Sequence, residues 1–267
     1  MISIEIISKG EKTLENTLLS IRNQSFRDFE IVCVDSSNNK EILHLLSRFD
    51  CKIISVPEGT LHMKARYEAH ANSEGDFSLI LDSTRPLSKD ALKILDEKYK
   101  KFDMTVIREE SLGNGFWVDQ AKLLKIISEK QFYRVKYESV AFLLPRFYNS
   151  ELLTQGFKII KAKMGNLFNE VGYGEHHIIF DECRKISQNI GMTDETLLSH
   201  YEDSSLMRTI RKYYWYGKSQ KKLKELEDSS SKTLSTHRRK GIGVRDRIKI
   251  LPISIARTVP FMLGYMF

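Results

Sequence analysis

The feature that most constrains this chain is the regular alternation of its first hundred residues. Ile2–Ile7 (ISIEII), Asp28–Val34 (DFEIVCV), Lys52–Val56 (KIISV) and Phe77–Leu81 (FSLIL) are short β-branched or apolar runs that read as strands. Between them lie stretches of helical period. Thr13, Leu14, Leu18 and Ile21 recur at helical spacing, Ile42–Phe49 is amphipathic, and Met63–Asn72 reads as a third helix. A helix capped by Ser88 is expected over Ser88–Tyr99. Strands separated by helices of this length predict βαβ units and a mostly parallel sheet. Right-handed crossovers then put helices on both faces. The expected class is α/β, a central sheet flanked by helices.

Beyond residue 105 the pattern loosens. Met104–Arg108 and Val140–Leu144 are strand candidates, and residues 158–173, with Gly165, Asn166, Asn169 and Gly172, read as a loop. Ser205–Gly217 is an amphipathic helix with Leu206, Ile210 and Tyr213 on one face. Ser229–Lys240 reads as a polar, basic hinge, and Ile250–Phe267 is apolar with the single charge Arg257.

Charge sharpens this division. The chain carries 42 Lys and Arg against 35 Asp and Glu, a formal +7. Residues 1–200 hold 27 basic and 29 acidic residues, whereas residues 201–267 hold 15 and 6. The excess therefore belongs to the last quarter, as if one end docks on an anionic surface: phospholipid, nucleic acid or an acidic partner. Cys33, Cys51 and Cys183 are odd in number and form no CxxC pair, which points to buried thiols in a reducing compartment rather than disulfides or zinc. The opening MISIEIISKGEK lacks the basic and apolar regions of a signal peptide.

In such sheets ligands bind beyond the carboxyl ends of the strands. Asp35 follows the second strand and Asp82 the fourth, so both carboxylates are expected at one edge. Either is also a residue type that favours turns and helix caps. With neither GxGxxG after the first strand nor GxxxxGK[ST] anywhere, a nucleotide would need carboxylates for its sugar and base, and a hard divalent cation for its phosphates.

Residues Ile2–Asp35, with TLENTLLSIRNQSFRDFEIVCVD, resemble the opening of family 2 glycosyltransferases of the GT-A fold. Ala65-Arg66-Tyr67 followed by Ala69, Ala71 and Gly75 is similar to that family's ARNxG helix, and LILDSTRPLSKDAL (Leu79–Leu92) to its DxD strand. LPRFYNSELLTQGF (Leu144–Phe157), GEHHIIFDECR (Gly174–Arg184) and HYEDSSLMRTIRKYYWYG (His200–Gly217) resemble three later segments. The resemblance implies a GT-A fold whose residues 1–104 bind the nucleotide-sugar and 105–200 the acceptor. Residues 201–267 would form a basic helical extension with a membrane-associating segment at 244–267. It implies transfer of a sugar from a nucleotide diphosphate-sugar to an acceptor hydroxyl or lipid phosphate, usually with inversion. Ser8, Asp35, Arg66, Asp82 and Thr84 would bind the donor. Asp82 and His200 would hold Mg²⁺ or Mn²⁺, and Glu175 or His176 would be the catalytic base.

The family's DxD reads here Asp82-Ser83-Thr84, and its acidic pair reads Glu175-His176. These departures leave room for transfer without a metal, or for an inactive GT-A-like scaffold. His176 and His177 are expected to diverge, one facing the cleft and one exposed, and Tyr213–Tyr216 to serve packing. The basic run ahead of Ile250–Phe267, with Pro252, Pro260 and Arg257 interrupting the apolar segment, fits a helix lying in a membrane interface better than one spanning it. That places the chain on the cytoplasmic face of a membrane, within reach of a glycan or lipid-linked acceptor, and moves the anionic partner from nucleic acid to lipid.

Overall fold

The computed structural model describes residues 1–134, 143–227 and 243–267. Its first third follows the expected alternation. Strand β1 (Ile2–Ser8) leads to helix α1 (Leu14–Arg22), β2 (Phe29–Asp35), α2 (Lys40–Ser47), β3 (Lys52–Ser55), α3 (His62–Ala71) and β4 (Phe77–Asp82). Then come α4 (Ala91–Ile94), β5 (Met104–Leu112), α5 (Phe116–Arg134), β6 (Pro145–Asn149), α6 (Ser150–Met164), α7 (Glu175–Ile186) and β7 (Ile190–Tyr201). Helices α8 (Leu206–Glu227), α9 (Val244–Lys249) and α10 (Leu251–Met266) close the chain.

Among the described residues seven strands form one sheet in the order β3-β2-β1-β4-β6-β5-β7. The first four are mutually parallel, β6 runs antiparallel to both its neighbours, and β7 lies parallel to β5. All seven residues of β1 are buried, as a central strand covered on both faces requires. Alternate strand residues enter opposite cores. Ile4, Cys33 and Leu79 pack with Leu14, Leu18, Leu46 and Leu92, and Ile80 packs with Met63, Leu153, Phe157 and Phe180 on the other face. The register pairs Ile7 with Asp82 and Ser8 with Asp35, so three strands end together at one edge.

Three expectations are corrected. Residues 158–164 are helical, because Phe157 and Ile160 extend the buried stripe of Leu152 and Leu153. The intervening Lys158, Lys161 and Lys163 mask that stripe in sequence, and Gly165, at φ 52°, ends the helix before a 3₁₀ turn over Gly165–Glu170. Ser88 does not cap a helix. Its amide donates to the Leu197 carbonyl beside a Leu87–Leu198 bridge, so the helix begins at Ala91 and runs on as a π-helical turn, Leu95–Tyr99. The strand after residue 140 begins at Pro145; residues 140–142 and the hinge residues 229–240 lie outside the described residues.

Candidate active site

The common carboxyl edge of β1, β2 and β4 opens into a cleft of about 420 Å³. That volume suits a small-molecule ligand. Its wall draws on chain segments far apart in sequence: Ser8 and Lys9 at the end of β1, Asp82 to Arg85 at the end of β4, Arg146 in β6, Glu175 and His176 at the start of α7, and His200 in β7. Helix α10 adds Ile253 and Arg257.

Asp82 is the hub. Its Oδ1 accepts from Arg66 Nη2 and its Oδ2 from Arg85 Nη1 at 2.6 Å, with Arg146 Nη1 3.5 Å from Oδ2. Burial alone would raise this carboxyl's pKa, but the guanidinium groups of Arg66, Arg85 and Arg146 overcome it and hold the group well below the usual range. Arg66 is 1% exposed and stands behind Asp82, not on the cleft wall, with Nη1 donating to the Leu81 carbonyl at 2.5 Å. The helix residue that the resemblance assigns to the nucleotide thus orients Asp82.

Glu175 and His176 sit side by side at the N-terminus of α7, where a carboxylate gains from the helix dipole. Glu175 is buried, 3.9 Å from Arg66 Nη2 and 3.7 Å from His176 Nε2. Burial, then the charges of Arg146 and Arg66, push the His176 imidazole well below its ordinary pKa, so it is neutral at pH 7. Its Nε2 faces Arg66 Nη2 at 3.1 Å and Arg146 Nη1 at 3.4 Å. Guanidinium groups only donate, so that nitrogen is the acceptor and its lone pair is already engaged. One of the two histidines is expected from sequence to be exposed, but His177 is half-buried and lines the cleft as well.

Beyond Asp82 the charges interlock. Arg85 Nε donates to Glu109 Oε2 at 3.0 Å, and Lys125 Nζ lies 2.8 Å from both Glu109 Oε1 and Glu202 Oε1. His200 Nδ1 meets Glu202 Oε1 at 2.9 Å. Burial, reinforced by Arg85 and opposed by the Glu202 hydrogen bond, moves the His200 imidazole down to about 4.

A divalent cation does not fit this donor set. Among the described residues no three His, Cys, Asp or Glu side chains converge on one point. Both oxygens of Asp82 are taken by guanidinium groups. A dication there would face three cations, and like unit charges about 4 Å apart repel by about 4 kcal/mol even at an effective dielectric near 20. Thr84, where the second acid would stand, offers a neutral hydroxyl at the cleft wall.

Asp35 is 2% exposed and lies beneath the wall, while the next residue, Ser36, lines it. Asp35 Oδ2 accepts from Ser37 Oγ at 2.8 Å, and Oδ1 is buried without a hydrogen-bond partner among the described residues. Ser8 braces the first loop: its Oγ accepts from the amide of Gly10, which holds φ 84°, and its carbonyl accepts from the Ser36 amide.

Sequence reasoning missed Arg85 and Arg146, although both lie inside quoted segments, DSTRP and LPRFY. It also missed Glu202, which lies inside the quoted segment HYEDSSL, and Glu109 and Lys125, for which no local pattern exists. Tyr213 and Tyr216, read as packing, line the cleft, and Tyr216 stacks on Tyr173 with centroids 4.1 Å apart.

Comparison with known proteins adds a family and a fold. The model for "Glycosyl transferase family 2" matches residues 3–146. No curated protein sequence matches significantly. Among solved structures, S. aureus TarS residues 1–349 is similar over 97% of this chain and 82% of that one, at 17% identity and a TM-score of 0.53. The same protein in complex with UDP-GlcNAc is similar over the same shares at 16% identity and 0.53. Its complex with UDP is similar over 99% and 88%, at 16% identity and 0.57.

Proposed function

We infer the reaction from one premise: the chain belongs to glycosyl transferase family 2, has the GT-A fold, and is a glycosyltransferase. The sugar passes from a nucleotide diphosphate-sugar to an acceptor hydroxyl. A uridine nucleotide is the first donor to test, since the similar TarS structures hold UDP and UDP-GlcNAc. The observation that carries the reading is one cleft joining a buried carboxylate, Glu175, to the cluster of guanidinium groups around Asp82.

In this reading residues 1–104 bind the donor and residues 105–200 frame the acceptor. Glu175 takes the acceptor's hydroxyl proton as its oxygen bonds to the anomeric carbon. The bond from that carbon to the diphosphate breaks, the electron pair leaves with the nucleoside diphosphate, and direct displacement inverts the centre. Glu175 is preferred to His176 as base because the His176 Nε2 lone pair is occupied by Arg66 and Arg146. A positioned base contributes roughly 10²–10⁴-fold.

The C-terminal helices belong to the same reading as a membrane-surface contact. Among the described residues no helix is long and apolar enough to cross a bilayer. On α10, Leu251, Ile255, Val259, Met262 and Met266 are exposed on one stripe, while Ile253, Ala256, Pro260 and Gly264 are buried. Val244 and Ile248 extend the stripe along α9, among Arg245, Arg247 and Lys249. An apolar face with a basic flank suits an anionic lipid interface and an acceptor carried there.

The test is a panel of nucleotide-sugars incubated with the purified chain and scored for hydrolysis and transfer. We expect turnover of at least one donor, reduced roughly 10²-fold or more by Glu175→Gln with nucleotide binding retained. Inertness toward every donor, or unchanged turnover in the variant, would refute the assignment.

A further inference from the structure

We propose that Arg85 and Arg146 bind the donor's diphosphate directly, doing here what a divalent cation does in a metal-dependent site. This rests on the donor assignment above, but it concerns a property of the cleft that can be measured separately. Both arginines line the cleft, with side chains 12% and 13% exposed.

Their hydrogen-bonding capacity is not used up within the protein. Every partner of Arg146 is reached through Nη1: the Ile80 carbonyl at 3.4 Å, His176 Nε2 at 3.4 Å and Asp82 Oδ2 at 3.5 Å. Nε and Nη2 of Arg146 therefore face no partner among the described residues. Arg85 engages Glu109 through Nε and Asp82 through Nη1, which leaves its Nη2. Arg66 differs, for both its terminal nitrogens are bound to Leu81, Asp82 and His176 behind the wall. The cleft thus presents two guanidinium groups that share the Asp82 carboxylate, Arg85 being held by Glu109 as well, with N–H groups to spare.

A planar fork of donors matches phosphate oxygens, and a charge-assisted hydrogen bond of this kind is stronger than a neutral one. As the glycosidic bond breaks, negative charge accumulates on the leaving diphosphate, where fixed cations lower the barrier. Asp82, the remaining acid of the DxD, anchors these cations in place of binding a metal. Loss of the second acid is coherent with that role, because another carboxylate would neutralise the arginines that the diphosphate needs.

The experiment titrates the full chain with inorganic pyrophosphate and with UDP by calorimetry, in EDTA and in Mn²⁺. We expect the same affinity in both buffers. Arg146→Gln should weaken binding roughly 10–100-fold at unchanged circular dichroism, the equivalent of one charge-assisted hydrogen bond. Where that variant melts early, Arg146→Lys serves: it keeps the charge, loses the planar fork, and should weaken binding about threefold or more. Binding that requires Mn²⁺, no pyrophosphate binding at all, or unchanged affinity in both variants would overturn the proposal. Pyrophosphate binding that depends on Arg146 in EDTA, with no sugar transferred from any donor, would refute the transferase assignment and leave this site standing. Transfer abolished by EDTA would do the reverse.

Discussion

A single carboxylate, Asp82, shows how neighbours set a residue's role. Beside a second acid it would be a metal ligand; among Arg66, Arg85 and Arg146 it is a counter-ion that fixes three cations. The imidazoles of the same cleft are held neutral by burial and by those cations, His176 well below its ordinary pKa and His200 at about 4. The unfolded chain, with histidine near 6.5, binds more protons than the folded one between those limits. Stability must therefore fall as pH drops from about 6.5 toward 4, by up to about 1.4 kcal/mol per pH unit for each histidine. Asp82 and Glu109, whose pKa values are depressed, add to the loss only below the ordinary carboxylate range, near pH 4. Thermal melts from pH 7.5 to 5 should show the first phase, and His200→Gln should flatten it. A melting temperature independent of pH across that interval would contradict the neutral assignment.

Among the elements, the paired helices α8 and α10 depend most on small residues. Their backbones approach so closely that a Cβ at Gly217 would overlap the Phe261 carbonyl, and one at Gly264 the Tyr214 carbonyl. These overlaps fall on backbone atoms, which cannot swing aside as a side chain can. Gly264→Val should therefore cost about 1–3 kcal/mol or more through overpacking. Hydrogen exchange should reveal the loss as faster exchange in α10 than in β1; unchanged protection would mean that the helices do not pack this way. The elements also show what local pattern conveys. Leu14, Leu18 and Ile21 in α1 announce a helix because their partners in period are close in sequence. The buried face of α6 was obscured by lysines on its other side. Ser88 is held out of the helix by its amide's bond to the Leu197 carbonyl, beside the Leu87–Leu198 bridge, and nothing near Ser88 in sequence reports that strand.

At the scale of the whole molecule, α10 serves two surfaces at once. Ile253 and Arg257 close the cleft, while Ile255 and Val259 turn outward on the apolar stripe. A lipid-anchored acceptor arriving along that stripe would reach the cleft without leaving the interface. The double variant Ile255→Asp, Val259→Asp should lose co-sedimentation with vesicles containing anionic phospholipid, while keeping its fold and its binding of pyrophosphate. Vesicle binding equal to that of the parent chain would remove the membrane contact from the reading. Deleting the segment outright would be a poorer test, because it would open the cleft wall as well.

Sequence alone determined the βαβ order of the first hundred residues, the shared edge of Asp35 and Asp82, and the basic, apolar character of the C-terminus. Each rests on residues within one helix or strand, or on a rule of parallel sheets that holds whatever the rest of the chain does. The tertiary structure decided what those residues face: Arg66 behind Asp82, Arg85 and Arg146 before it, the Lys125 lattice, the tyrosines of α8 in the cleft, and α10 as part of its wall. Such partners lie far apart in the chain: Arg66 and His176, for example, are separated by 110 residues. Electrostatic character depends on distance and burial in space, so a carboxylate's function could not be read until its cations were in place.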